Sequence, residues 1–330
     1  MMLVRAIIAL LPVLVSGPAI AQTSETPETG PTANAIVVTA QRSGAPMWTI
    51  DTASGTVILV GEIRAVPKAT PWRPDRLEDA VAEADRVILR ARPKISPGDI
   101  LRLIFRGGRF TKLPGDSIAA DYLDADQRAR LAALESRYDK DYARGSFLMT
   151  AFDLLARRLD FDDETVDDAT EIVEEAAEDA DVAIIRPPRF RGEDLLDNLA
   201  EADPATHIPC LEAAMTATEA GKSIIERRGR DWRRYDVPGV MANPLEIALG
   251  RCWPWADPDL GEEIRGIWTG ALADAAGQSG ITVAVVPLRV LAEIGGVLDQ
   301  LEMRGLDIAG PDWRGGSYPD RDQSASQEIQ

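Results

Sequence analysis

Short apolar runs recur along this chain, and four of them lead directly to an arginine. The four stretches are VILVGEIR (57–64), RVILRAR (86–92), VAIIRPP (182–188) and TVAVVPLR (282–289). Uninterrupted apolar runs of this length are typical of strands that helices cover on both faces. In open α/β sheets, ligands bind beyond the carboxyl ends of such strands. If the strands are neighbours, we therefore expect their arginines to converge on one site. These arginines are Arg64, Arg90, Arg186 and Arg289.

The rest of the pattern predicts one hairpin and many helices. Residues 46–50 and 56–61 flank a turn-rich segment and predict a β-hairpin. Apolar residues at i, i+3 and i+4 predict helices. The predicted helices are 75–85, 97–105, 124–139, 146–159, 162–181, 192–203, a long one from about Pro204, 260–277 and 289–305. The Trp-rich stretch between 230 and 259 is predicted to be irregular.

The order of these elements indicates the fold class. Strand-helix-strand appears early in the chain, and helix-strand-helix appears late. We therefore predict an α/β (α+β) fold. It has a central mixed β-sheet from two related halves, flanked by many helices, and a long helical insertion.

The two ends of the chain differ in composition from the middle. Residues 1–21 have Arg5 near the start, an apolar centre and a small-x-small end at Ala19–Ala21, which predicts a cleaved secretory signal. Residues 22–45 predict a flexible linker, and residues 314–330 predict a disordered tail. The folded domain is then 46–313. No later apolar run is long enough to span a membrane. We expect an exported, periplasmic and soluble protein.

The net charge limits the partners. The whole chain carries a formal charge of -18, and loss of Arg5 with the signal would make it -19. Such an acidic surface argues against nucleic acid and against anionic lipid as partners.

The two cysteines are Cys210 and Cys252. In a chain that leaves the cytoplasm, a disulfide between them is the first interpretation. A redox pair or a pair of metal thiolates is the functional alternative, and the absence of a C-x-x-C spacing disfavours it.

Three stretches together resemble the TraB/GumN family, which includes the Tiki proteases. MWTI…VILVGEIR resembles the Trp-containing hairpin that leads to a family GTxH motif, and ADRVILR resembles a family ADR-V-x-L-E motif. Near the end, VAVVPLR…GGVLDQLEMRG resembles a second family histidine motif followed by L…RG. The three lie in the family's order and cover nearly all of the folded region. IVVTAQR, at 36–42, is similar to the start of TonB-dependent receptor plugs.

The resemblance implies a metal-dependent hydrolase that uses two G-x-x-H motifs and a glutamate, but this chain departs from each motif. Arg64 and Arg289 stand where the two histidines are expected, and Arg90 stands where the glutamate is expected. Val286 replaces the glycine of the second motif. Arg186 lies where a later family strand ends in glutamate, and Arg265 matches the arginine of a family RN pair.

Arginine cannot replace a metal ligand, since its guanidinium group is a permanent cation without an acceptor lone pair. The resemblance therefore implies a degenerate metal site, and we expect no cofactor. His207 lies three residues before Cys210 and could form half of another metal site, but further ligands are not apparent.

The main functional hypothesis is a non-catalytic protein with a pocket for an anion. Guanidinium groups suit a carboxylate, a phosphate, or an acidic glycan or peptide. The predicted pocket residues are Arg64, Arg90, Arg186, Arg289, Glu62 and Arg265. The simpler alternative is that Glu62, Asp85 or other acids neutralise these arginines within the protein.

Two other functions remain open at this point. One is a hydrolase of the TraB/GumN type with a metal-free or rebuilt site, in which Glu62 could act as general base. The other is a cell-envelope interaction protein that acts through residues 34–44. That stretch has strand propensity and could add to the sheet edge of a partner.

Overall fold

The central sheet confirms the predicted fold class. A computed structural model describes residues 33–41, 43–90, 111–161, 165–188, 202–252 and 254–315. Five strands form one mixed sheet in the order β1-β2-β7-β4-β6. They are β1 (Met47–Asp51), β2 (Gly55–Glu62), β4 (Arg86–Ile88), β6 (Ala183–Ile185) and β7 (Gly280–Pro287). β1 and β2 form the predicted antiparallel hairpin, and the other neighbouring pairs are parallel. A second, two-stranded sheet pairs β3 (Val66–Pro67) with β5 (Thr165–Val166).

Helices surround the sheet and fill most of the remaining chain. They are α1 (Ala33–Gln41), α2 (Pro74–Ala82), α3 (Ala125–Tyr138), α4 (Phe147–Asp153), α5 (Ala169–Asp179), α6 (Ile208–Ala220), α7 (Ser223–Arg233), α8 (Val237–Met241), α9 (Pro244–Arg251), α10 (Pro258–Ala276), α11 (Leu288–Ala292) and α12 (Val297–Met303). A π-helical turn, Leu154–Arg158, continues α4, and 3-10 turns occupy Ala119–Asp121 and Pro204–His207. Among the helices described, none has the length and apolar composition needed to cross a bilayer.

The buried apolar residues form two separate cores. One surrounds the sheet and includes Trp48, Ile58 and Val285, with side chains from α2, α5 and α10. The other lies within the helical insertion and includes Phe147 and Leu211, with side chains from α3, α4, α6 and α9. The insertion therefore has its own hydrophobic centre. The relation between the two predicted halves stays a prediction.

The predicted disulfide joins Cys210 in α6 to Cys252 at the end of α9. Both cysteines are buried within the core of the helical insertion. The bond therefore connects two helices of this core and is shielded from solvent.

The predicted linker contains a helix. α1 packs on α2, and its residues Ile36 and Ala40, four positions apart on one face, are fully buried. The IVVTAQR stretch was expected to be extended, but its described part, residues 36–41, is helical because this spacing suits an amphipathic helix. Several predicted segments lie outside the described residues: the signal, half of the linker, the helix at 97–105, residues 192–201 of the helix predicted at 192–203, and residues 316–330 of the tail.

Three further predictions differ from the structure. The stretch between 230 and 259 is largely helical, because Pro238, Pro244 and Pro258 occupy first-turn positions, where a missing N–H costs little. The helix predicted at 289–305 is broken between α11 and α12 at Gly295, which has a positive φ of 70°. The predicted helix 162–181 begins only at Ala169, after strand β5.

Arg314, predicted to begin the tail, is instead tied to the domain. Its guanidinium group pairs with Asp299 and Glu302 and lies over the ring of Trp313. The ordered domain therefore includes this residue.

We expect removal of the disulfide to destabilise the helical insertion strongly. The bond closes a loop of 42 residues, and in the chain-entropy model such a loop contributes about 4 kcal/mol to the free energy of unfolding. Urea unfolding of the Cys210→Ala/Cys252→Ala variant, compared with the oxidised protein, measures this difference. Dithiothreitol should lower the stability of the parent protein and leave the variant unchanged. Equal stability of the two proteins would contradict the prediction.

Candidate functional site

The topology brings the predicted arginines to one edge of the sheet. β2, β7, β4 and β6 are adjacent and parallel, with Glu62 opposite Pro287 and Ile88 opposite both Ala284 and Ile185. Each arginine follows one of these strands by one or two residues. The prediction that the four strands are neighbours is therefore confirmed. We call this region the carboxyl edge. It comprises Glu62, Arg64, Arg90, Arg186, Arg289 and the side chains that contact them.

The first half of the carboxyl edge is an acidic cluster of Glu62, Asp168 and Arg90. Glu62 is the last residue of β2 and is only 4% exposed, and Asp168 immediately precedes α5 and is also buried. Both carboxyl groups lie within 4.0 Å of the same guanidinium group, that of Arg90. The Thr170 N–H donates to Glu62 Oε1 at 2.8 Å. Arg90 Nη2 lies 3.6 Å from Asp168 Oδ2, and Arg90 Nη1 lies 4.0 Å from Glu62 Oε2.

The surroundings of Glu62 favour its protonated form. Burial first, and then the neighbouring Asp168 carboxylate, raise the pKa of Glu62 to about 7. Arg90 and the Thr170 N–H act in the opposite direction but do not outweigh burial. The acidic cluster therefore exchanges a proton near neutral pH.

Local sequence fixes the position of Asp168. Its Oδ1 accepts from the Glu171 N–H at 3.1 Å, and the Glu171 side chain accepts from the Asp168 N–H at 3.2 Å. This reciprocal pair is a capping box at the start of α5. It holds the Asp168 carboxyl group against the end of β2.

The second half is a basic cluster of Arg228, Arg289 and Glu246. Arg228 and Glu246 are buried, and the Arg289 side chain is 14% exposed. Arg228 Nε donates to Glu246 Oε2 at 2.7 Å, and Arg289 Nη2 lies 3.3 Å from Glu246 Oε1. Arg289 also donates to the main-chain oxygen of Glu246. Two arginines thus share one carboxylate, and the cluster carries one net positive charge.

The electrostatics of Glu246 follow from this arrangement. Burial alone would raise its pKa, but Arg228 and Arg289 hold the pKa of this carboxyl below its usual value. Glu246 therefore stays ionised.

Helices α7 and α9 hold the basic cluster against the sheet. The Trp232 indole N–H of α7 donates to the Gly61 oxygen of β2 at 2.8 Å, and Arg228 Nη1 donates to the Arg64 oxygen at 2.8 Å. Asn243 accepts from the Leu245 N–H at the start of α9, and its side-chain amide donates to the Ile224 oxygen of α7. These bonds fix Arg228 and Glu246 relative to each other and to β2.

Gly250 makes room for Arg289. A Cβ atom at position 250 would overlap Cζ and Nη1 of the Arg289 guanidinium group. The guanidinium group therefore lies directly against the backbone of α9, and a larger residue at 250 would displace it.

Arg186 and Arg265 have carboxylate partners of their own. Arg186 Nη2 donates to Glu174 Oε1 at 2.5 Å, and its Nη1 donates to the Arg90 oxygen at 3.0 Å. Arg265 Nη1 donates to Glu293 Oε1 at 2.8 Å. Neither arginine presents an uncompensated charge.

The predicted open cluster of arginines is therefore divided into carboxylate-paired groups. Neutralisation within the protein, the simpler alternative, describes four of the six predicted residues: Arg90, Arg186, Arg289 and Arg265. Asp85 plays no part, because it accepts from the Ile281 N–H at the opposite end of the sheet. Arg64 is exposed, and its main-chain oxygen accepts from Arg228.

Sequence reasoning missed Asp168, Arg228 and Glu246. The D-A-T-E capping signature at 168–171 was available as a signal for Asp168. For Glu246 the signal was a single charge between the apolar residues Leu245 and Ile247. Nothing in the sequence indicated the role of Arg228.

Two buried side-chain atoms stand out among the described residues, because they have no hydrogen-bond partner there. They are Thr170 Oγ1, beside the acidic cluster, and Arg289 Nε, in the basic cluster. Unpaired buried polar atoms are rare in native proteins and require an explanation. Both lie at the carboxyl edge, which makes this edge the candidate functional site.

The side chains of this edge do not fit a divalent metal ion. Arg64, Arg90 and Arg289 offer no lone pair. Glu62 and Asp168 supply two carboxyl groups, but the cationic Arg90 lies within 4.0 Å of both of them. In the described ranges no three His, Cys, Asp or Glu side chains are grouped to hold a metal. Cys210 is in the disulfide, so the half-site with His207 is excluded.

A family model described as the TraB/PrgY/gumN family matches residues 46–309. No curated protein and no solved structure matches the chain.

We expect the ionisation of buried Glu62 to lower the stability of the folded protein as the pH rises. The folded-state pKa is about 7 and the ordinary value is 4.5, so the folded protein binds this proton more tightly than the unfolded chain. The loss in the free energy of unfolding is absent below the ordinary pKa of Glu62 and complete above its folded-state pKa. Its full size is on the order of 3 kcal/mol. Relative to Glu62→Gln, the parent protein should therefore lose stability between about pH 5 and about pH 8.

Urea unfolding at several pH values tests this expectation. The exposed carboxylate variant Glu78→Gln serves as control and should follow the parent protein. Parallel pH profiles for the parent and Glu62→Gln would show that Glu62 titrates normally.

Gly250→Ala is expected to be less stable than Gly270→Ala by about 1–3 kcal/mol, because the added methyl group displaces the Arg289 guanidinium group from its place beside Glu246. Gly270→Ala in α10 is the matched control, since a Cβ there meets no atom within 4 Å. Both substitutions bring the better helix propensity of alanine, about 0.5–1 kcal/mol, so this gain cancels in the comparison. Thermal unfolding of both variants measures the difference, and equal stability of the two would refute the packing argument.

Proposed function

Because this chain belongs to the TraB/PrgY/gumN family, we propose that it is a divergent member in which a non-catalytic site for an anionic ligand replaces the metal site of related hydrolases. The ligand class is a carboxylate, a phosphate, or an acidic glycan or peptide. The ligand binds at the carboxyl edge.

One observation carries this proposal: Arg228 and Arg289 share the single buried carboxylate of Glu246. Two like charges about 6 Å apart repel by about 3 kcal/mol at an effective dielectric constant near 20. Glu246 offsets part of this repulsion, but one positive charge remains. A bound anion would compensate it.

The geometry of the edge supports access by a small anion. Arg64 is exposed, and the Arg90 side chain is 46% exposed. Both lie beyond the same strand ends as the basic cluster. Guanidinium groups bind carboxylate and phosphate oxygens through paired N–H donors. The exposed arginines therefore form the entrance, and the buried pair supplies the attracting charge.

The proposed location is the periplasm of a Gram-negative cell. The signal-like residues 1–21 support export. The Cys210–Cys252 disulfide is consistent with an oxidising compartment.

A metal-free hydrolase is the second candidate, and the Glu62–Asp168 pair favours it. Burial raises the pKa of Glu62 to about 7, so this carboxyl group can give and take a proton near neutral pH, as a general acid or base must. Chemical conversion of a bound ligand would distinguish this candidate from simple binding.

A thermal-shift screen on residues 22–330 tests the proposal. The compounds are sulfate, phosphate, uronates and short acidic peptides, with manganese, cobalt and zinc ions for comparison. We expect an anion at about 100 times its Kd to raise Tm by about 5 °C. Arg64→Ala and Arg289→Ala should abolish this shift. Arg289→Ala leaves Glu246 paired with Arg228, so the buried charges stay balanced.

Arg86→Ala is the matched control. Arg86 lies at the opposite end of the sheet, where it bonds to Gln278 and Thr282, and its removal should leave the anion shift intact. Stabilisation by a metal ion instead of an anion would contradict the proposal and return the protein to the metallohydrolases. Mass analysis of the ligand after incubation would reveal any hydrolysis.

A further inference from the structure

We propose that the carboxyl edge takes up one proton together with its anion, and that the buried Glu62–Asp168 pair accepts this proton. This inference rests on the proposed function and adds how anion binding is regulated by pH. Anion binding would then respond to the pH outside the cytoplasm.

The charges around Arg90 are the first argument. Glu62 and Asp168 both lie within 4.0 Å of this one guanidinium group, which can compensate only one of two carboxylate charges. Both carboxyl groups are buried, so water screens the second charge poorly and a proton on one of the two groups is favoured.

The second argument is the position of Arg90. It lies 3.6 Å from Asp168 Oδ2 and 4.0 Å from Glu62 Oε2, which are ion-pair distances but too long for good hydrogen bonds. Its side chain is 46% exposed. The Arg90 main-chain oxygen accepts from Arg186, so the backbone is held while the side chain can turn. An anion in solvent can therefore compete with the acid pair for this guanidinium group.

Proton uptake follows from this competition. At alkaline pH the pair is ionised, and Arg90 supplies the nearby positive charge. When the anion draws Arg90 away, the two carboxylates are left without it and one takes a proton from solvent. One anion and one proton are bound, so the net charge of the edge is unchanged.

The neighbouring groups assign the proton to Glu62. Asp168 accepts from the Glu171 N–H at the start of α5, where a negative charge is favoured. The other charged residues nearby are Glu171, which accepts from the Asp168 N–H, and Glu174, which pairs with Arg186. Glu62 is the more buried of the pair, and its raised pKa of about 7 places the exchange near neutral pH.

Calorimetric titration with sulfate tests the linkage, because sulfate keeps its charge between about pH 5.5 and 8.5. For the parent protein we expect constant affinity below about pH 6 and a loss approaching tenfold per unit above about pH 7. Repetition in two buffers with different heats of ionisation should show about one proton taken up per sulfate at the alkaline end.

Substitutions identify the residue that takes up the proton. Glu62→Gln mimics the protonated state, so its sulfate affinity should lose the pH dependence and its binding should take up no proton. Glu78→Gln and His207→Gln are controls for an exposed carboxylate and for the single histidine of the chain. Both control variants should show the same dependence of sulfate affinity on pH as the parent protein.

The outcomes separate the two proposals. Sulfate binding without pH dependence, or with a dependence that persists in Glu62→Gln, would overturn the linkage and leave anion binding intact. Absence of sulfate binding at every pH, together with no thermal shift from phosphate, uronates or acidic peptides, would overturn the proposed function, and the linkage with it.

Discussion

The charge of an arginine cannot be removed by deprotonation, and the organisation of the carboxyl edge depends on this constraint. An aspartate, glutamate or lysine buried without a partner can become neutral, but a guanidinium group must be given a counter-charge. Four arginines follow adjacent parallel strands in this protein. The helices around the edge place carboxylates against them: α5 with its N-cap supplies Asp168 and Glu174, and α9 supplies Glu246.

The number of carboxyl groups per arginine differs between the two halves of the carboxyl edge. The cluster next to β4 has two carboxyl groups for Arg90, and the cluster next to β7 has two guanidinium groups for Glu246. One half therefore carries an exchangeable proton, and the other half carries a residual positive charge. The basic half also connects the sheet to the helical insertion, since Arg228 lies on a helix of the insertion and donates to the main chain just after β2. The charges are thus part of the contact between the sheet and the insertion.

The sequence was sufficient to predict the five strands of the central sheet, the hairpin and the arginines at the strand ends, because each depends on residues close together in the chain. It could not predict that β7 lies between β2 and β4, since that pairing is set by long-range packing. Helices α8 and α9 lie in the stretch that was predicted to be irregular, where Pro238 and Pro244 occupy first-turn positions that a helix accepts. The partners of the arginines were undecidable for another reason. With 54 acidic residues in the chain, composition alone cannot select Asp168 and Glu246.

The close approach of Gly250 to Arg289 has a consequence for how such a chain can diversify. The two positions are 39 apart in sequence, yet the side chain at one occupies the volume that a Cβ at the other would need. With a larger residue at 250, the Arg289 guanidinium group would have to leave its position against α9 and Glu246. Among homologous chains, the identities of these two positions should therefore covary, and glycine at 250 would be a marker for arginine at 289.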